Sequence, residues 1–186
     1  RVEPGDAAPV TSPKPVHVLD RWIMSKLNVL IVDVTTAMDG YDTTLTCRLL
    51  LSFITDLSTW YLRRSRDRIQ TDESGQEVFG WVLSTLVRLM APVTPFITEL
   101  IYQNLFNKGD SVHLALWPEA EKKYIDPTLD EHMSFVRSVA ELGNAKRKEL
   151  GIPVRQPLQK MTVFTSRPVP SDEWLAIFLQ ELNVRV

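Results

Sequence analysis

Apolar residues recur along most of this chain at intervals of three and four, the spacing that lines one face of an α-helix. Ile23, Leu27, Leu30, Ile31, Val34 and Met38 predict a first helix that follows Leu19-Asp20 and stops at Asp39-Gly40. Thr43 or Thr44 supplies the cap of a second helix, the longest element, which runs to about Gln70. After a turn at 72–75, Val78, Val82, Leu86 and Leu89 carry a third helix as far as the segment APVTPF. Pro92 and Pro95 each remove a backbone donor, so the helix breaks there. It restarts with Thr94 as cap and Pro95 as first residue, and Ile97, Leu100, Ile101 and Leu105 form its apolar positions. The two prolines read as punctuation that sets the geometry of a bundle.

A turn at 107–110 leads into the short extended segment SVHLALWPEA, with Val112, Leu114, Leu116 and Trp117 as its apolar positions. His113 has no acidic, histidine or cysteine neighbour at useful spacing and reads as a hydrogen-bonded loop residue. A fourth main helix starts near Pro127-Thr128, presents Leu129, Met133, Val136 and Ala140 inward, and stops at Gly151 and Pro153. Beyond Pro157, Met161, Val163 and Phe164 predict a short strand, Ser171 caps a helix over 172–182, and Asn183 takes the left-handed stop. Residues 184–186 begin another strand.

The predicted fold is mainly α. An antiparallel helical bundle occupies 18–157, an extended Pro-rich linker or arm precedes it over 1–17, and a small truncated α/β appendage, strand-helix-strand, follows over 158–186. Arginine rather than methionine at position 1, and a strand starting at the last three residues, give the expectation that the chain is cut from something longer.

Composition narrows the chemistry. The 186 residues, 44% hydrophobic, suffice for one or two compact units. A net charge of −2 supplies no global basic field, so any site for an anion is a local patch. One cysteine, Cys47, and three scattered histidines leave no zinc spacing and no disulfide framework. No run approaches the roughly 18 apolar residues of a membrane span and the N-terminus carries no signal-peptide pattern, so a cytoplasmic protein is expected. No Gly-rich phosphate loop, no Ser/His/Asp order and no metal-ligand spacing occurs, which predicts binding rather than catalysis, with no catalytic residue and no metal.

Two clusters carry the positive charge. In FITDLSTWYLRRSRDRI, Phe53, Ile54, Leu57 and Tyr61 share a stripe that Arg64 and Arg68 continue, with Arg63 and Arg66 flanking the end. Asp56, Trp60, Arg63 and Asp67 form a ladder on a second face. The other cluster is Lys146, Arg147 and Lys148 in the last turns of the fourth helix, with Arg155 and Gln156 in the loop after it. Each has a plain alternative: a solvated charged end, or cations that offset a helix dipole by about 0.3–1 kcal/mol each. In a net acidic chain, two such ends point to a localised RNA or phosphate surface.

At this point the order of motifs is itself informative. DRW (20–22), DLSTWYLRRSRDR (56–68), APVTPFITELIYQNL (91–105), SVHLALWPE (111–119), VRQPL (154–158) and ELNV (181–184) together resemble the C-terminal half of the isoleucyl-tRNA synthetase family. The valine, leucine and methionine relatives share the helical-bundle plan and several of them APxxPF; WYLRRSRDR, VRQPL and ELNV point to isoleucine. The resemblance implies an anticodon-binding bundle that grips an isoleucine-accepting tRNA, and, in the whole enzyme, charging that uses ATP and Mg2+. The catalytic signatures HIGH and KMSKS and the editing domain are absent, so this piece would act alongside catalytic and editing domains of a parent chain. Arg63, Arg64, Arg66 and Arg68 are then the first tRNA contacts, followed by Lys146, Arg147, Arg155 and Gln156. Trp60 either stacks on a splayed base or packs beside Arg63. A valyl or leucyl relative and a protein-interaction scaffold are the competing readings.

Overall fold

The structure is a computed structural model that describes residues 12–106, 109–166 and 168–185; the greater part of the arm expected at 1–17, and half of the turn at 107–110, lie outside them. As the periodicity requires, it is mainly α. It divides into two compact units, Arg1–Ile125 and Asp126–Val186.

In the first unit, α1 (Val18–Asp39) is the central rod. It is apolar over a wider arc than one stripe, with Val18, Trp22 and Met24 buried beside the predicted Ile23, Leu27, Leu30, Ile31 and Val34, because α2 and α4 both pack on it. Fully burying a side chain of this size contributes about 1.5–3 kcal/mol. The helix starts where His17 Nδ1 accepts from the Leu19 amide at 3.1 Å. Its end differs from expectation: Gly40 has φ −84°, and Tyr41 takes the left-handed position at φ 58°. The Tyr41 and Asp42 amides close the turn on Met38 and Ala37 carbonyls.

The cap of α2 (Thr43–Asp56) is Asp42, whose Oδ1 accepts from the Leu45 amide at 2.8 Å, and neither Thr43 nor Thr44. The expected long helix is present as three joined pieces. A π-helical segment, Leu57–Leu62, links α2 to α3 (Arg63–Thr71) without a break. A single intervening residue, Asp72, caps α4 (Glu73–Met90) and forces it back antiparallel to α3.

Pro92 and Pro95 punctuate as expected, and α5 spans Pro95–Leu105. Thr94 does not cap it; its hydroxyl donates back to the Met90 carbonyl at 3.3 Å. The inward face of α5 is Thr98 and Tyr102, with Ile101 packed beside them, whereas Ile97, Leu100 and Leu105 stand outward together with Phe96. Tyr102 sets this rotation by joining Val87, Ala91 and Val112 in a small core cluster. Glu99, facing the next loop, accepts from the Ser111 hydroxyl and the Val112 amide and holds a three-residue 3-10 turn, Val112–Leu114. That loop is therefore not an extended strand: of its four predicted apolar positions Val112 is buried, and Leu114, Leu116 and Trp117 are exposed. Farther on, Trp117 Nε1 bonds to Thr35 Oγ1 and the Glu121 amide to Asn28 Oδ1, which returns the chain along α1.

The second unit pairs α6 (Pro127–Glu149) with α7 (Asp172–Glu181). Phe135 and Val139 of α6 clasp Leu182 beyond α7. The fit depends on Gly143, where a Cβ would lie 2.6 Å from Leu182 Cδ1. Among the described residues no strand forms. Leu158 and Val184 make one parallel bridge, and the segment expected to pair, around Val163 and Phe164, is exposed without a neighbouring strand.

Candidate nucleic-acid interface

The π segment lies immediately before the arginines. Bonds of the i→i+5 kind use one more residue per turn, so faces on either side of such a segment are not those of a straight α-helix. Phe53, Leu57 and Tyr61 are buried as the stripe predicts, but Ser65 rather than Arg64 follows them into the core. Arg64 is left half-buried, Arg63 and Arg66 stand outside, and Arg68 turns inward.

Arg68 corrects the expectation of a cation offered to a partner. Its Nη1 and Nη2 donate to Oδ2 and Oδ1 of Asp20, both at 2.6 Å, and Nη2 also reaches Ser65 Oγ at 3.1 Å. The Tyr61 hydroxyl donates to the same Asp20 at 2.8 Å. Asp20 is fully buried. Burial works against the Arg68 charge, but the hydrogen bonds and charge of Asp20 outweigh it and hold the guanidinium above its ordinary pKa. The same site, first by burial and then by the carboxylate, pushes the Tyr61 hydroxyl far above its usual value. Arg68 is thus a strut, locking the start of α1 to the end of α3.

Arg63 and Arg66, by contrast, open into one depression of about 480 Å³, lined also by Ser58, Leu62, Ile69 and Gln70. Arg63 Nε donates to the Thr59 carbonyl at 3.0 Å, which fixes the stem of its side chain. The guanidinium groups of Arg63 and Arg64 lie 5.8 and 6.0 Å from the centre of the Trp60 ring. Trp60, half-buried, thus lies within cation-π range of both arginines. Burial, and then the neighbouring Arg63 charge, draw Arg64 down to about 10. Asp56, at the start of the expected ladder, lies 3.3 Å from Lys26 Nζ. What remains is an open depression with two arginines and two apolar residues, Leu62 and Ile69, in its lining, a geometry suited to the phosphates of a nucleic-acid backbone.

In the second unit Arg147 is the other correction. It is 3% exposed and donates to main-chain carbonyls at the ends of two helices, not to solvent. Lys146 is exposed and pairs with Glu149 at 2.7 Å. Arg155 and Gln156 are exposed on the loop between α6 and α7. Sequence periodicity did not reveal the inward residues Asp20 and Asn183; both act over more than 25 positions, where local spacing carries no signal.

Among the described residues no helix is long and apolar enough to cross a membrane, and no three His, Cys, Asp or Glu side chains gather to hold a metal. A family profile described as the anticodon-binding domain of tRNA ligase matches residues 20–162. The chain is 44% identical to an isoleucine–tRNA ligase of Streptomyces avermitilis over 97% of its own length and 18% of the relative's. It is 43% identical to those of Cutibacterium acnes, over 90% of this chain and 16% of the relative, and Thermobifida fusca, over 95% and 18%. The chain thus spans under a fifth of the curated relatives it matches. Both arginine clusters fall inside the matched segment, and the chain belongs to the family of anticodon-binding domains of tRNA ligases.

Proposed function

We propose that this chain binds the anticodon stem and loop of an isoleucine-accepting tRNA and positions it for charging by the remainder of an isoleucine–tRNA ligase in the cytoplasm. The observation that carries this reading is the pair Arg63 and Arg66, converging on one open depression while the neighbouring Arg68 is neutralised by Asp20. Phosphate neutralisation supplies most of the affinity, and arginine provides a planar, bidentate grip. Holding the anticodon end fixes the distant acceptor end, so recognition at one place becomes orientation at another. The ATP- and Mg2+-dependent step belongs to catalytic sequences of the relatives' kind, as does editing.

The test is fluorescence anisotropy of an isoleucine-tRNA anticodon stem-loop against the full chain at several salt concentrations, beside a valine-tRNA stem-loop. Arg63→Glu with Arg66→Glu is expected to weaken binding and to flatten the log–log salt slope by roughly 0.9 per lost contact. An unchanged affinity and slope in a folded double variant would refute the proposal.

A further inference from the structure

Four consecutive carbonyls after α6 turn onto two side chains. Arg147 Nη1 donates to Pro153 O at 3.0 Å and Gln156 O at 2.9 Å. Asn183 Nδ2 donates to Val154 O at 3.2 Å and Arg155 O at 3.0 Å. The second nitrogen of Arg147, Nη2, reaches Leu182 O at 2.5 Å, so one guanidinium fixes both the loop and the end of α7 that carries Asn183. Main-chain bonds close the loop at both ends: the Ile152 amide to Arg147 O and the Leu158 amide to Asn183 O, each at 2.9 Å.

The chemistry of position 183 is specific. Its φ of 49° is left-handed, and the amides of Asn183 and Val184 bond to Gln180 and Leu179 carbonyls as a helix stop requires. Glycine would stop α7 equally well, but only asparagine combines tolerance of this conformation with an amide that can hold the loop.

With every carbonyl from 153 to 156 accepting from a side chain of the same unit, the loop is left to present its side chains. Val154 is half exposed, and Arg155 and Gln156 are exposed beside it. A fixed loop of this kind has its ordering cost met before a ligand arrives. The glutamine amide offers a donor and an acceptor together, as a base edge demands, and arginine can bridge the adjoining phosphate.

We infer that residues 153–156 form a rigid nucleotide-reading loop in which Gln156 reads a base of single-stranded RNA, Arg155 grips its phosphate, and Arg147 and Asn183 are positioning residues. The inference rests on the tRNA-binding reading above. It also removes Arg147 from the set of direct RNA contacts.

The test uses the full chain and the isoleucine-tRNA anticodon stem-loop. Gln156→Ala is expected to weaken binding about three- to tenfold with an unchanged salt slope. Arg155→Ala lowers the slope by roughly 0.7, the value for a single-strand contact. Asn183→Gly keeps the helix stop and therefore the fold, yet should match Gln156→Ala in affinity and accelerate amide exchange around 153–157, a response that loss of a direct contact alone would not give. If Arg63→Glu with Arg66→Glu abolishes binding while all three loop variants bind like the parent, the loop inference fails and the tRNA-binding reading stands. If neither set alters binding, both fail.

Discussion

The two basic helix ends look alike in sequence and do opposite things. Along α3 two outward arginines, Arg63 and Arg66, precede an inward one, Arg68, held by a buried carboxylate. At the end of α6 the inward arginine, Arg147, is held by main-chain carbonyls, and the exposed cation next to it is engaged with its own helix through Glu149. A carboxylate neutralises its arginine and makes a strut; carbonyls leave the charge in place and use its fan of donors to shape a loop. Charge count along the chain therefore says little about which cation meets a partner.

The sharpest way to break this comparison is to remove the carboxylate. Asp20→Ala strands Arg68 and deprives Tyr61 of its acceptor, and the loss of one member of such a buried pair costs about 3–5 kcal/mol. Urea unfolding measures it; a cost under about 1 kcal/mol would mean that Arg68 is no strut. The second unit is probed without touching any charge by Gly143→Ala. The added methyl meets Leu182, next to the Arg147 and Asn183 clamp, and overpacking of this kind costs about 1–3 kcal/mol, more than the helix gains from replacing glycine.

Alkali separates the two ends again. Tyr61 resists ionisation in the folded state, so its contribution is fully present below the unfolded tyrosine pKa of about 10 and is lost as pH rises beyond it. Stability should fall above about pH 10, and Tyr61→Phe, lower at neutral pH, should show a flatter decline. The smallest effects belong to the exposed cations: Arg66→Ala and Lys146→Ala should each change stability by no more than about 0.5 kcal/mol, whatever they do to binding.

Helix positions were largely legible from periodicity, and the stops at Gly151 and Asn183 from residue type, because backbone conformation at those places is local. The bundle's inward stripe through Phe53, Leu57 and Tyr61 was legible for the same reason. The identity of the exposed arginines was not. Asp20 meets Arg68 across 48 positions and Arg147 meets Leu182 across 35, and nothing in a local window announces either. The outward turn of Ile97 and Leu100 was missed because Tyr102 and Thr98, one polar and one amphipathic, take the core face that a hydrophobicity pattern assigns elsewhere.

The π segment at Leu57–Leu62 has a consequence for chain length. A turn wound wider than its neighbours holds one residue more than the same span of α-helix needs. Ser58 and Thr59 are exposed there, so a chain shortened by one at either position can close up as ordinary α-helix and leave Phe53 inside and Arg63 outside as before. Most helices transmit a deletion as a rotation of everything downstream. This one carries its own slack, which makes the middle of a long rod, rather than a loop, a place where related chains can differ in length while keeping the same two arginines on the rim.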